Sequence, residues 1–132
     1  MEIKIIREQP SNLLQIQMAG MNPRFDTLFP WSPVIYNPSG EPIPQDIMIH
    51  EVKHLAQQGK DPKGWWGRYI LDKNFRLSQE LEANREQYKF ICKLTKDREQ
   101  RNKALVAMAK NVSGEVYNVD ISFQEAYQRI KE

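Results

Sequence analysis

The chain has 132 residues, of which 40% are hydrophobic and 27% are charged, and this length and composition suit a single globular domain, residues 1–132. Its 19 lysine and arginine residues against 17 aspartate and glutamate residues leave a net charge of +2, which argues against a dedicated nucleic-acid-binding protein. Cys92 is the only cysteine, which excludes an intramolecular disulfide and a zinc site built from thiolates.

The segment MEIKIIREQPSN mixes charged and aliphatic residues where a secretion signal requires an unbroken apolar stretch. No later window has the length and hydropathy of a membrane span. We therefore expect a cytoplasmic protein that has neither a membrane nor a nucleic acid as partner. The sequence leaves the oligomeric state open.

The N-terminal third of the chain is predicted to form short strands. Residues 1–7 alternate aliphatic and charged side chains, which predicts a half-buried strand that ends before Pro10. Residues 10–44 contain seven of the eight prolines, a composition that argues against a long helix. We expect further short strands near residues 13–18 and 33–36.

A helix is predicted after Pro44, from residue 45 or 46 to Gly59, because the Asp46 carboxylate can accept hydrogen bonds from the amides of the first turn. Apolar residues at i, i+4 and i+7 give this helix a core face, and polar residues give it an adjoining face. The core face carries Met48, Val52 and Leu55, and the adjoining face carries His50, Glu51 and His54.

The remainder of the chain is predicted to be mainly helical. The sequence KDPKGWWGRYILDKNF is interpreted as a turn and an aromatic cluster in which Trp65 and Trp66 pack in a core. Helices are predicted at residues 77–93 and 98–110, and Ser122 begins a capping box before a short last helix. The predicted fold is therefore α+β, with a small N-terminal sheet packed on the histidine-bearing helix and a mainly helical C-terminal part.

The only two histidines, His50 and His54, lie four residues apart in a predicted helix, so their imidazoles stand one turn apart on one face. Glu51 directly follows the first histidine and completes an H-E-x-x-H arrangement. In this arrangement two neutral imidazoles bind zinc, and the glutamate accepts a proton from the water that the metal activates. The pattern predicts a Zn²⁺ site with Glu51 as the catalytic base.

A catalytic zinc ion usually has a third protein ligand, which must come from elsewhere in the chain. No further histidine exists, and a cysteine would be an unusual ligand beside two histidines in a hydrolase. A carboxylate remains, and the predicted helix at residues 77–93 offers Glu80, Glu82 and Glu86. Glu80 and Glu82 point about 200° apart around that helix, so the two cannot both be ligands.

The sequence HEVKH, followed by a helix that contains E-x-x-A-N, resembles the gluzincin metallopeptidases. The short chain is most similar to small single-domain members called minigluzincins and to related phage and prophage enzymes, and the resemblance covers residues 46–88. It implies a zincin-like fold and Glu80 as the third zinc ligand. It also implies that Asn84 stands where these enzymes usually have an aspartate that hydrogen-bonds a zinc-binding histidine, a role that an amide performs more weakly.

The resemblance implies a zinc-dependent endopeptidase that acts on a peptide or protein substrate. The oxyanion formed during hydrolysis needs a hydrogen-bond donor or a positive charge. Tyr88, Tyr117 and Arg76 are candidates for this role, and their spacing does not separate them. Residues 33–37 are the candidate edge strand to which an extended peptide would add.

Two alternatives from other classes stay open. In the first, the protein is a catalytically silent, zinc-stabilised binding module, for instance a phage product that sequesters a host protein in the host cytoplasm, and Glu51 has no function. In the second, no metal binds, and the two histidines lie on a polar, solvent-facing helix.

Overall fold

The structure is a computed structural model that describes residues 2–132. Its elements are, in chain order, β1 (Lys4–Ile6), α1 (Leu13–Met18), β2 (Phe29–Trp31), β3 (Val34–Tyr36), α2 (Gln45–Gln58), α3 (Pro62–Leu71), α4 (Lys73–Leu94), α5 (Arg98–Ser113) and α6 (Phe123–Lys131). The predicted α+β class is confirmed, since the strands form one small N-terminal sheet and the C-terminal part is helical. Met1, the first residue of the predicted first strand, lies outside the described residues. None of the helices within residues 2–132 combines the length and hydropathy needed to cross a membrane.

The sheet has the strand order β1-β3-β2, with β1 parallel and β2 antiparallel to β3. β1 and β3 lie where the sequence predicts strands. The sequence does not predict β2, because Pro30 at its centre lacks an N–H for a ladder; proline is tolerated here because β2 is an edge strand. β3 is the central strand and both its edges are paired, so the prediction that residues 33–37 form a free edge for a peptide is wrong.

Side chains from two helices cover the outer edge of β2. Gln58, the last residue of α2, donates through Nε2 to the Pro30 carbonyl at 2.8 Å, and its Oε1 accepts from the Ser32 amide at 2.7 Å. The indole of Trp66 in α3 donates to the same carbonyl at 2.8 Å. These hydrogen bonds join the sheet to both helices.

Residues 13–18 form the helix α1, so the strand predicted there is wrong. The sequence LLQIQM has apolar residues at alternate positions, as a strand does, but also at the i, i+3 spacing of a helix. The helix buries Ile16 and packs Leu13 against the same cluster, whereas Leu14 and Met18 remain exposed. Burial of the helically spaced pair favours the helix.

Residues 62–71 form α3, where the sequence interpretation has only a turn and an aromatic cluster. The cluster is confirmed, because Trp65, Trp66 and Tyr69 are all buried. The helix begins after Asp61, whose carboxylate accepts a backbone N–H of the first turn.

The starts of two other helices test the capping predictions. Ser122 caps α6 as predicted and accepts from the Glu125 amide at 3.1 Å. The predicted cap of α2 is wrong, because Asp46 lies inside the first turn and accepts from Gln87 Nε2 of α4 at 2.8 Å instead. Asp46 therefore makes a tertiary hydrogen bond to α4 instead of a local cap on α2.

α4 is the central helix and contacts α2, α3, α5 and α6. Its residue Leu81 packs in an apolar cluster with α5 and α6, and Phe75 packs against a second cluster formed by α1, β2 and α3. A further buried face of α4 is polar. That face carries Arg76, Glu80, Asn84 and Gln87.

Alanine substitutions in α4 test this packing. The Leu81 side chain is 1% exposed, so Leu81→Ala should lower the free energy of unfolding by about 2–5 kcal/mol. The matched control Leu94→Ala, in the same helix but 68% exposed, should change it by less than about 0.5 kcal/mol. Urea unfolding followed by circular dichroism measures both, and equal effects would contradict the assigned burial.

Candidate metal centre

Two helices bring three side chains to one point in the interior. His50 and His54 of α2 face Glu80 of α4, and the two imidazole Nε2 atoms lie 3.2 Å apart. The His50 Nε2 atom lies 3.1 Å from Glu80 Oε1, and the His54 Nε2 atom lies 3.0 Å from Glu80 Oε2. The structure therefore brings together the three residues predicted as ligands.

The separations of these atoms suit one small cation. Nitrogen and oxygen atoms bound to a tetrahedral zinc ion at about 2.0–2.1 Å lie about 3.3 Å from one another. The observed values of 3.0 to 3.2 Å are within a few tenths of an ångström of that distance. His50, His54 and Glu80 form a buried group that can hold a metal ion.

The histidine face of α2 is buried more completely than the face predicted to form its core side. The two histidines and the glutamate of the H-E-x-x-H motif are all buried. Of the predicted core residues, Leu55 is buried, but Met48 and Val52 are only half-buried. The prediction that the histidines lie on a solvent-facing helix is therefore wrong.

The competing carboxylates of α4 point away from the histidines. The Glu82 side chain is 51% exposed and pairs with Lys53 at 3.7 Å. The Glu86 side chain is 40% exposed and pairs with Lys89 at 3.5 Å. Of the three predicted alternatives for the third ligand, Glu80 is the one that faces the histidines.

A glutamine anchors the outer ring nitrogen of each histidine. The His50 Nδ1 atom lies 3.0 Å from Gln87 Oε1, and the His54 Nδ1 atom lies 2.7 Å from Gln57 Oε1. Such partners fix the ring orientation of a metal-binding histidine. Neither glutamine is predicted from the sequence.

Asn84, which the resemblance places against a zinc-binding histidine, has a different partner. Its Nδ2 donates at 2.9 Å to the backbone carbonyl of Glu80, one turn earlier in the same helix. Gln87 makes the contact with His50 in its place, because it lies almost one turn further along α4. The signal for Gln87 in the sequence is its helical spacing from Glu80 and Asn84, which puts all three on one face.

The amide orientation of each glutamine follows from what its nitrogen donates to. Gln87 Nε2 donates to Asp46 Oδ2 at 2.8 Å, and Gln57 Nε2 donates to the Gln79 carbonyl at 3.1 Å. The amide oxygens therefore face the histidines, and we assign the hydrogen of each of those bonds to Nδ1. In the neutral imidazoles both Nε2 lone pairs then point at the Glu80 carboxylate, so that only acceptors meet there. A metal ion or a proton is needed to satisfy them.

Burial and charge act in opposite directions on the pKa values at the centre. Burial alone would raise the pKa of Glu80, but the charge of His54 and hydrogen bonds from both histidines hold it well below its usual range. Burial alone would lower the pKa of His54, but the Glu80 carboxylate raises it to about 9. At neutral pH a metal ion must therefore displace a proton from His54.

Two aromatic residues of α3, predicted only as core packing, also contact the centre. Tyr69 donates its hydroxyl to Glu80 Oε2 at 2.7 Å, and burial raises the pKa of Tyr69 well above its usual value, which keeps it a donor. The Trp65 indole lies against the His54 imidazole with ring centres 5.4 Å apart. Nothing in the sequence indicates these contacts, because they depend on how α3 packs beside α4.

Glu51 lies beside the three ligands. Its Oε2 is 4.0 Å from His50 Nε2, and its Oε1 is buried without a hydrogen-bond partner among residues 2–132. Burial raises the pKa of Glu51, although the two histidines oppose this rise. A buried carboxyl group with a raised pKa and an unpartnered oxygen is suited to accept and return a proton.

Of the three residues predicted as candidates to stabilise an oxyanion, Tyr117 lies at the centre. It lines the same cavities as Glu51. Burial and the charges of Glu80 and Glu51 raise the pKa of the Tyr117 hydroxyl well above its usual value, so it stays protonated. It can therefore donate a hydrogen bond.

The other two candidates have different positions. Arg76 donates to backbone carbonyls of Tyr69, Ile70, Tyr117 and Asn118 at 2.8 to 3.0 Å. It therefore holds the backbone of Tyr117 in place and does not face the metal ligands itself. Tyr88 lies in a separate groove beside α5 and α6.

Two cavities meet at the centre. A cleft of about 760 Å³ is lined at its inner end by His50, Glu51 and Tyr117. A small cavity of about 40 Å³, with room for water molecules, adjoins the cleft and is also lined by Glu51 and Tyr117. Thr27, Leu28 and Val116 line both cavities as well, and Trp65 and Trp66 line the small one.

No family model, curated protein or solved structure matches this chain. The functional assignment therefore depends on the centre itself. Its features are two imidazoles anchored by amides, one carboxylate that faces both of them, and a second carboxylate with an unpartnered oxygen.

Matched glutamate substitutions in α4 test the ligand assignment. Wild-type protein should bind one equivalent of zinc, and Glu80→Gln should weaken binding by at least about 100-fold, because a charged ligand is lost. The control Glu86→Gln, at an exposed glutamate that pairs with Lys89, should bind zinc as the wild type does. Competition with a chelator measures the affinities, and the fluorescence of Trp65 beside His54 gives a second signal. Equal losses in both variants would refute the assignment of Glu80.

The raised pKa of His54 predicts that zinc binding depends on pH. The histidine holds its proton below about pH 9, so each zinc ion bound below that pH displaces one proton. The zinc association constant should rise about tenfold per pH unit between about pH 6.5 and 8.5. Chelator competition at a series of pH values measures this slope, and a flat profile would show that no proton is displaced.

Proposed function

We propose that the protein is a zinc-dependent endopeptidase of the gluzincin type, acting on a peptide or protein substrate. His50, His54 and Glu80 would hold the zinc ion, and Glu51 would be the general base. The resemblance of HEVKH and E-x-x-A-N to these enzymes supports the proposal, as does the convergence of the three candidate ligands. The single cysteine agrees with a reducing compartment, such as the cytoplasm of a cell or of a phage-infected host.

The observation that carries the proposal is the unpartnered oxygen of Glu51. A buried carboxylate without a hydrogen-bond partner lowers stability and needs an explanation. The Oε1 atom of Glu51 is in this state, at the inner end of a cleft and next to three candidate metal ligands. A structural metal site has no use for such a group, whereas a hydrolytic site requires one.

A zinc ion at this centre would lower the pKa of a water molecule and polarise the scissile carbonyl group. Glu51 would accept the proton of that water at Oε1 and pass it to the leaving amine, a task for which its raised pKa is suited. Gln57 and Gln87 would keep both imidazoles oriented throughout.

Tyr117 is the residue that we assign to the oxyanion. Its hydroxyl stays protonated, and its backbone is fixed by the Arg76 guanidinium at 2.9 Å. A preorganised donor of this kind stabilises negative charge that develops during the reaction. Tyr69 is less suited to this role, because its hydroxyl is already committed to Glu80.

The alternative function is a catalytically silent, zinc-stabilised binding module. The burial of the centre favours it, because His50, His54 and Glu80 are 5%, 2% and 2% exposed and a metal there would tie α2 to α4. In that case the free energy of metal binding would contribute to folding. The two functions differ in what they require of Glu51.

The substitution Glu51→Gln separates the two functions. It removes the proton acceptor and preserves the size of the side chain, so peptide cleavage should fall by at least about 100-fold. Zinc affinity and melting temperature should stay close to the wild-type values, because Glu51 is not a ligand. Cleavage of a broad synthetic peptide library, analysed by mass spectrometry, measures the activity of the zinc-loaded protein.

Glu86→Gln is the matched control and should cleave the library at the wild-type rate, because Glu86 is exposed and pairs with Lys89 away from the centre. Cleavage by Glu51→Gln at the wild-type rate would show that Glu51 is not the base. If the wild type cleaves nothing, yet zinc raises its melting temperature, the binding module becomes the supported function.

A further inference from the structure

The cleft in front of the centre is acidic, although the whole chain has 19 cationic and 17 anionic side chains. Among residues 2–132, four carboxylates line the cleft against one cation, Arg24. The carboxylates belong to Asp26, Glu41, Asp46 and Glu51. Negative charge is therefore concentrated where a substrate would enter.

The two outer carboxylates are free to meet a ligand. Asp26 and Glu41 are exposed, and neither forms an ion pair within the part of the chain that the structure describes. Asp46 lies deeper, where it accepts from Gln87. Unpaired charges in the wall of a cleft attract ions of opposite sign, because the low-dielectric protein on both sides focuses their field.

The innermost carboxylate gives an independent indication of a ligand. Glu51 is 7% exposed, and its Oε1 is buried without a partner among residues 2–132. A bound zinc ion would not make the cleft cationic, because the Glu80 carboxylate offsets half of its charge and the four carboxylates outnumber Arg24. Acidity therefore extends from the entrance to the centre.

The same cleft offers apolar surface next to its carboxylates. Phe25 is 76% exposed at the cleft, and Ile43 and Ile47 also line it. Lysine and arginine side chains have long apolar stems that pack on such surface while the charged end reaches a carboxylate. The mixture suits a cationic peptide better than a free inorganic cation.

We propose that this cleft selects peptide segments that carry lysine or arginine within a few residues of the bond to be cleaved. This proposal rests on the proposed function, because only a peptidase has a bond to be cleaved at the metal centre. The preference for cationic peptides is a property of binding, however, and can be measured without hydrolysis. The two proposals can therefore fail separately.

The test uses zinc-loaded Glu51→Gln protein, which retains the other three carboxylates of the cleft and should bind peptides without cutting them. Immobilised protein is incubated with an equimolar pool of random decapeptides at low ionic strength, and mass spectrometry identifies the retained peptides. Lysine and arginine should be enriched at least about threefold, aspartate and glutamate should be depleted, and 0.5 M salt should abolish the enrichment.

Charge reversal at the entrance provides the second arm. Asp26→Lys combined with Glu41→Lys, added to Glu51→Gln, should reduce the enrichment of basic residues to near the value in the pool. The matched control combines Glu8→Lys with Glu99→Lys, which reverses the same number of charges at two exposed glutamates outside the cleft, and it should leave the enrichment intact. The melting temperature of each variant shows that it is folded.

The possible results are distinguishable. The inference is overturned if retained peptides have the charge distribution of the pool, if no peptide is retained, or if Glu8→Lys with Glu99→Lys acts as strongly as Asp26→Lys with Glu41→Lys. Enrichment that depends on Asp26 and Glu41 supports it. If wild-type protein binds basic peptides in this way but cleaves none, the binding preference survives and the peptidase proposal fails.

Discussion

Three acceptor groups meet in the interior of this protein, and the packing of α2 on α4 depends on how their repulsion is relieved. The two Nε2 atoms and the Glu80 carboxylate lie 3.0 to 3.2 Å apart, far too close for unprotonated groups without a cation between them. A proton on His54 provides partial relief, as the raised pKa of this residue shows. A divalent metal ion would satisfy all three groups at once. The same geometry therefore links the stability of the helix pair to the occupancy of the site.

The buried polar face of α4 explains why the centre is well defined. Along this face Arg76 holds the backbone of Tyr117, Glu80 meets the histidines and Gln87 connects His50 to Asp46. A buried polar network is costly when it is incomplete, and here almost every member has its partners. The exception is Glu51, whose unpartnered oxygen lies where the cleft reaches the ligands. An unsatisfied group within an otherwise satisfied network marks a position shaped for a reaction or a ligand rather than for stability.

Local patterns predicted the α+β class, the positions of β1 and β3, and the helices that bear His50 and Glu80. The H-E-x-x-H motif could be read from the sequence because its residues share one helix, so spacing alone puts the histidines on one face. Tyr69 and Gln57 could not be found in this way, since their roles depend on which helices become neighbours. α1 and the uncapped start of α2 were mispredicted for the same reason: burial of Ile16 and the contact of Asp46 with Gln87 are tertiary effects.

The glutamine at the end of α2 has a consequence for the sheet. Gln58 offers one donor and one acceptor to Pro30 and Ser32, the same pair of groups that a neighbouring strand would present. The Gln58 side chain thus satisfies these two edge groups as one residue of a neighbouring strand would. Open sheet edges invite pairing with other chains, which leads to aggregation. With Gln58 in place, this edge of the sheet is protected from such pairing at Pro30 and at Ser32, the residue that follows β2.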